Sequence, residues 1–66
     1  MATMEIHSRK SNSIYTVSGT KERAFLTVTG QAYAKAMVQK EITRIRQGGA
    51  DWDTAVWTAN MLASTF

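Results

Sequence analysis

The sequence predicts an α+β fold in which a three-stranded antiparallel β-meander is followed by two α-helices packed on one face of the sheet. Runs rich in β-branched and aromatic residues occupy the first 29 positions, and beyond Gly30 apolar residues recur at spacings of three and four. The 66 residues are therefore expected to form one small domain, with a sheet over about 4–29 and helices over about 31–47 and 51–65.

The predicted sheet consists of three short runs bounded by polar residues: Met4–Ser8, Ser13–Val17 and Ala24–Thr29. Residues 9–12 would form the first turn and residues 18–22 the second, because Asn and Gly tolerate the left-handed backbone of tight turns. Short connections of this kind join neighbouring antiparallel strands, so the order along the sheet should follow the order along the chain.

Alternation of side chains along a strand also predicts which face of the sheet is buried. Ile14 and Phe25 are expected on the outer face. The expected inner face is formed by Met4, Ile6, Tyr15, Val17, Ala24, Leu26 and Val28. This apolar face needs a helical layer to cover it.

The first predicted helix, over residues 31–47, is amphipathic. Thr29 is the expected N-cap, and Gly48 the left-handed residue that ends the helix. Arg44 and Arg46 suit the negative end of the helix dipole. The apolar stripe consists of Ala34, Met37, Val38, Ile42 and Ile45.

The second predicted helix, over residues 51–65, follows a reversal at Gly48-Gly49. Asp51 is placed to cap it, with Asp53 in its first turn near the positive end of the dipole. At about 100° per residue, one face of this helix is apolar. That face contains Trp52, Ala55, Val56, Ala59, Leu62, Ala63 and Phe66.

Trp57 and Met61 fall on the other side of the second helix, in a segment that carries no charge from Thr54 onward. They are i, i+4 neighbours, and both residue types are typical of protein interfaces. The residues alongside them are Thr54, Thr58 and Thr65. We predict a protein interface at Trp57, Met61 and Phe66. The alternative is that the second helix lies deep between the sheet and the first helix, with Trp57 in the core.

A homodimer is the expected assembly, because a chain of this size is marginally stable and needs support. The sequence has no cysteine for disulfides, and His7 is its single histidine, so no metal site is expected. The absence of cysteine favours a reducing, cytoplasmic location. The sequence has no apolar run of the length that a membrane span requires, so no membrane role is expected.

Neither catalytic residues nor a cofactor site can be assigned from the sequence. His7 has no paired nucleophile, and it is expected to be an ordinary strand residue facing water or beside Glu5. Asp51 and Asp53 point in different directions, so they do not form a catalytic pair. Helix capping already explains two aspartates at the start of a helix. Gly48-Gly49 precedes a helix, but the two aspartates that follow would repel a phosphate. No small-molecule substrate is evident.

Binding to DNA or RNA is the alternative function, since the net charge is +3 and all eight Lys and Arg lie in residues 1–46. These basic residues are spread over two sheet turns and two flanks of the first helix, which weakens the case for nucleic-acid binding. A two-fold dimer could still bring matching flanks together. Tyr33 could then stack on a base. The expected contacts are Arg9, Lys10, Lys35, Lys40, Arg44 and Arg46.

The leading hypothesis is a small non-enzymatic intracellular protein that forms a homodimer and acts by binding another protein. Its size and lack of catalytic groups suit a regulator or inhibitor of the kind that a phage or mobile element encodes. The alternative is a small dimeric DNA- or RNA-binding protein.

Overall fold

A computed structural model describes residues 2–10, 12–30 and 32–65, and within the first helix the side chains from residue 36 onward. The chain forms three strands and two helices, as the sequence predicted. These are β1 (Ala2–His7), β2 (Ile14–Gly19), β3 (Ala24–Thr29), α1 (Ala32–Gly48) and α2 (Trp52–Thr65). The strands pair antiparallel in the order β1-β2-β3, and both helices contact the sheet.

The strand boundaries agree with the prediction for β3 and differ for the other two. β1 begins earlier and ends at His7, so Ser8 lies beyond it. β2 continues to Gly19, which pairs with Ala24. The second turn is therefore formed by residues 20–23 and not 18–22, and it is closed by the Thr20 N–H donating to the Arg23 carbonyl at 2.8 Å.

The first turn uses the left-handed residue that the sequence predicted. Asn12 has a φ of 54°, and the Ser8 N–H donates to the Ser13 carbonyl at 2.8 Å. This bond brings the chain back into register, so that His7 and Ile14 are opposite each other.

The strand register confirms the predicted inner and outer faces. Tyr15, Val17 and Leu26 are fully buried, and directly opposed residues such as Met4, Val17 and Leu26 share one face. Ile14 and Phe25 lie on the opposite face, where both are half-buried.

Both helices cover the inner face, but at different positions. α1 lies against the edge strand β3, while α2 lies over the central strand β2 with further contacts to β3 and β1. The core cluster contains Tyr15, Val17, Ala24, Leu26, Val28, Val38, Ile42, Ile45, Ala55, Ala59 and Leu62. Met37, predicted in the apolar stripe, is instead 57% exposed.

The predicted caps of α1 are corrected by the structure. Thr29 ends β3 opposite Ile14, too early to cap a helix that begins at Ala32. Gly48 is the last helical residue, and the left-handed residue is Gly49, with a φ of 65°. The Ala50 N–H donates to the Ile45 carbonyl at 3.2 Å, which is the six-residue bond of a Schellman motif.

Two hydrogen bonds join the connection between the helices to the sheet. The Ala24 N–H donates to the Ala50 carbonyl at 3.3 Å, and the Trp52 N–H donates to the Lys21 carbonyl at 3.2 Å. They hold the start of α2 beside the turn between β2 and β3, and thereby set the path of α2 across the sheet. Over the described residues, neither helix has the length and apolar character needed to cross a bilayer.

Candidate protein-binding surface

The start of α2 is fixed by the cap that the sequence predicted. The Thr54 N–H donates to the Asp51 carboxylate at 2.9 Å. This backbone bond, helped by the Thr54 side chain, lowers the pKa of Asp51 below its ordinary value of 3.8. A charged Asp51 therefore stabilises the first turn of α2, whose outer side carries the candidate interface.

The inner side of α2 follows the predicted apolar face, with one correction. Ala55, Ala59 and Leu62 are buried in the core as expected. Thr58, which we placed beside Trp57 and Met61, is 1% exposed and lies on the buried side. Its hydroxyl donates to the Thr54 carbonyl at 2.9 Å, so its polar group is satisfied inside the helix.

The outer side of α2 exposes two large apolar side chains. Trp57 is 63% exposed and Met61 is 45% exposed, so Trp57 does not lie in the core. We call these two residues the exposed side of α2. Phe66, the third predicted interface residue, lies outside the described residues. α2 therefore has two apolar sides, and the sheet covers only the inner one.

Met37 is a further exposed apolar residue, and the sequence did not single it out as part of a surface. It lies nine residues from Arg46, on the opposite side of α1 at about 100° per residue. Arg46 reaches Phe25, whose ring is on the outer face of the edge strand β3. Met37 therefore lies on the flank of α1 nearer to α2.

The predicted nucleic-acid contacts are not brought together. Arg9 and Lys10 are exposed in the first turn, whereas Arg46 lies at the other end of the sheet, a strand length of about 17 Å away. Lys40 and Arg44 are exposed on α1. The side chains of Lys35 and Tyr33 lie outside the described residues.

Arg44 is also partly neutralised. Its guanidinium donates from Nη2 and Nε to the Glu41 carboxylate, at 2.7 and 3.0 Å. This i, i+3 pair lies on the flank of α1 that also carries Met37. An arginine engaged in this way has fewer donors left for a phosphate.

A pair of arginines converges on one aromatic ring, a contact that no pattern in the sequence predicted. The guanidinium carbons of Arg23 and Arg46 lie 5.6 and 6.0 Å from the centre of the Phe25 ring. Neither arginine forms an ion pair with a residue that the structure describes. The fold thus creates a small cationic site from residues that are far apart in sequence.

His7 lies beside Glu5, as predicted, with 3.7 Å between its Nε2 atom and a Glu5 carboxylate oxygen. Both side chains are exposed on β1. Among the described residues, no three acidic or histidine side chains are grouped so that they could hold a metal ion.

Comparison with protein-family models, curated proteins and solved structures found no match to this chain. What the protein does is therefore inferred from its own surface. Three features of that surface are used for the inference: the exposed side of α2, the arginine pair at Phe25 and a cleft beside β1.

Proposed function

We propose that this chain is a small non-enzymatic binding protein that acts through protein–protein contact, and that it forms a homodimer through the exposed side of α2. The observation that carries the proposal is the 63% exposure of Trp57, with Met61 one turn further along. A regulator or inhibitor that works by occupying a partner's surface would need no more than such a contact.

The chemistry of α2 favours burial against another protein. From Thr54 to Thr65 it has no charged side chain, so a partner can cover it without stranding an unpaired charge. Trp57 and Met61 are i, i+4 neighbours and form one ridge. Tryptophan in particular is enriched among the residues that dominate binding free energy.

The size of a stable interface indicates that α2 does not act alone. A typical interface buries about 800 Å² on each partner, roughly a fifth of this chain's 4365 Å² of accessible surface. Met37, 57% exposed on the flank of α1 nearer to α2, extends the apolar surface in the required direction. We therefore include Met37 in the contact and choose a second copy as the partner, because two-fold pairing is the commonest assembly.

Sedimentation velocity over a concentration series, at low and high salt, tests the proposal. We expect a dimer whose dissociation constant changes little with salt, because the contact is apolar. Replacing both Trp57 and Met61 by Ala should weaken it at least tenfold, which is about 1.4 kcal/mol. The single change Met37→Ala should weaken it less.

The matched control is Gln47→Ala, which shortens an exposed polar side chain on α1. It should leave the dissociation constant unchanged, and circular dichroism should show that all variants remain folded. A wild-type chain that sediments as a monomer throughout would refute self-pairing. A dimer that tolerates the double change would place the interface elsewhere.

Binding to nucleic acid is the second candidate function, and the arginine pair at Phe25 is the observation that favours it. Two guanidinium groups held on one ring, with no carboxylate partner among the described residues, could contact neighbouring phosphates. Lys21 is exposed in the turn beside Arg23 and adds to the charge.

Fluorescence anisotropy with a labelled DNA duplex tests this candidate. Phosphate-driven binding should weaken steeply between about 50 and 200 mM salt. Replacing Arg23 and Arg46 by Gln should reduce the salt dependence by about one unit of slope per lost contact, while Lys40→Gln serves as the control. If the salt slope is unchanged by the double replacement, the arginine pair does not bind the duplex.

A further inference from the structure

A cleft of about 400 Å³ lies between the end of β1 and the C-terminal half of α2. Its volume is within the range of about 300–1,000 Å³ typical of ligand sites. Ile6 and Ala63, which pack against the core, form its apolar part. The two walls that flank this apolar part have different hydrogen-bonding chemistry.

The wall near the first turn is cationic. Arg9 and Lys10 line the cleft, are exposed, and make no ion pair with any residue that the structure describes. Together they offer hydrogen-bond donors and no acceptor. No Asp or Glu is among the described lining residues, and Glu5 nearby lies 3.7 Å from His7. An anionic group entering this side would therefore find two cations and no competing carboxylate in the lining.

The wall formed by α2 is biased toward accepting hydrogen bonds. Ser64 donates its single hydroxyl hydrogen to the Asn60 carbonyl at 3.1 Å, so its oxygen can only accept from a ligand. The Asn60 side-chain amide donates to the Val56 carbonyl at 3.1 Å. Its Oδ1 atom accepts no hydrogen bond from the described residues and is available for a ligand N–H.

We propose that this cleft binds the free carboxylate end of a peptide. The carboxylate would lie against Arg9 and Lys10, and the last peptide N–H would donate to Asn60 or Ser64. An apolar final side chain would then cover Ile6 and Ala63. A bare phosphate would use only the cationic wall and leave the acceptors and the apolar part without partners.

This site extends beyond the proposed function, because neither Trp57 nor Met61 lines the cleft. The two sites also require different partners. The exposed side of α2 requires an apolar surface, whereas the cleft requires a ligand with one negative charge at a fixed position. Capture of a terminal carboxylate is an established mode of peptide recognition.

Titration with acetyl-Gly-Gly-Leu bearing a free carboxylate, followed by ¹H–¹⁵N NMR, tests the proposal. We expect saturable shifts of the backbone amides of His7, Asn60 and Ser64. The same peptide with a C-terminal amide should bind at least tenfold more weakly. Equal affinity for the two peptides, or no saturable shift with the acid, would overturn the proposal. Inorganic phosphate that binds as tightly as the acid would show a general anion site and overturn it too.

Three variants separate this contact from general attraction by a basic protein. The double change Arg9→Gln and Lys10→Gln should abolish peptide binding, and Ser64→Ala should weaken it. The double change Arg23→Gln and Arg46→Gln removes the same two charges at the far end of the sheet and should leave binding unchanged. Equal losses for the first and last variants would refute the site. The titration is followed at the amides of the cleft and compares acid with amide, so it can be interpreted whether or not the dimer proposal holds.

Discussion

At the scale of single residues, Gly30 has a conformation that a side chain would disturb. Its φ is 153°, and a Cβ atom added there would lie 2.8 Å from the Ser13 Cα and 2.5 Å from its hydroxyl oxygen. Ser13 is 1% exposed and is held by its carbonyl to the Ser8 N–H, so it has little room to move. The close approach of these two residues fixes where the chain leaves β3.

Gly30→Ala should therefore destabilise the fold, by about 1–3 kcal/mol from backbone strain and crowding. Urea unfolding followed by circular dichroism measures this as a lower midpoint. Gly48→Ala is the matched control, because an added Cβ there meets nothing within 4 Å and the residue is helical. Equal midpoints for the two variants would contradict the role of Gly30.

The Asp51 cap predicts a dependence of stability on pH. Because the pKa of Asp51 is lower in the folded state than its ordinary 3.8, its contribution is fully present above pH 3.8. It is lost as the pH falls through the lower, folded-state pKa. Asp51→Ser keeps a capping oxygen without a titrating charge.

We expect Asp51→Ser to show a smaller loss of thermal stability than the wild type as the pH is lowered below 3.8. Melting temperatures measured at several pH values would check this. Gln47→Ala, an exposed change on α1 that adds and removes no titrating group, is the control and should follow the wild-type profile. A parallel decline in wild type and Asp51→Ser would show that the cap does not titrate in this range.

The residues that sequence alone could predict are those whose role is local. Asn12 in a tight turn and Asp51 three residues before its N–H partner depend only on nearby chain. The left-handed residue after α1 was predicted one position early, because the Ala50–Ile45 bond decides where the last turn closes. Arg23 and Arg46 meet through the tertiary fold, so no local pattern could reveal their approach to Phe25.

At the scale of elements, the width of each helix's buried side depends on its position over the sheet. Met37 precedes Val38 on α1, and Thr58 precedes Ala59 on α2, so each is turned about 100° from a buried neighbour. Met37 is 57% exposed while Thr58 is 1% exposed. α2 contacts all three strands, whereas α1 contacts mainly β3, so a wider part of the circumference of α2 is covered.

This difference explains which parts of the helices the sequence could predict. Periodicity gives the direction of the apolar stripe, and Val38, Ile42 and Ile45 are buried as expected. It does not give the width of the buried sector, which depends on neighbouring elements. For that reason it assigned Met37 to the core and Thr58 to the outer side of α2.

The two tryptophans of α2 should respond differently to removal. The Trp52 side chain is half-buried against the core, whereas the Trp57 side chain is 63% exposed. We expect Trp52→Ala to lower the free energy of unfolding of the monomer by about 1–3 kcal/mol. Trp57→Ala should change it by less than about 0.5 kcal/mol.

Urea titrations at a protein concentration low enough to keep the chain monomeric provide the comparison. Each variant serves as the control for the other, since both remove the same side chain from the same helix. Loss of stability in Trp57→Ala equal to that in Trp52→Ala would contradict the exposed position of Trp57.

At the scale of the whole molecule, stability and assembly are linked. A chain of this length buries only about 60% of the surface that its unfolded form exposes, so additional burial in a dimer would matter. The fold class was predictable because strand alternation and helix periodicity are both visible in the chain. The cleft was not, since it arises from residues of β1, the first turn and α2.

Homodimer formation predicts a melting temperature that rises with protein concentration. A gain of about 1 kcal/mol would correspond to about 4–8 °C for a domain of this size. Differential scanning calorimetry over a hundredfold concentration range would detect it. The Trp57→Ala, Met61→Ala double variant should show a much smaller dependence, and a wild-type melting temperature independent of concentration would argue against the dimer.

The two hydrogen bonds between the helix connection and the sheet have a consequence for how the molecule opens. The Ala24 N–H donates to the Ala50 carbonyl and the Trp52 N–H donates to the Lys21 carbonyl, so backbone bonds join residues 26 and 31 positions apart in the chain. The two helices and the β2–β3 hairpin cannot separate from each other while these two hydrogen bonds are intact. Slow exchange of both amide hydrogens with solvent, at similar rates, would mark the domain as a single cooperative unit.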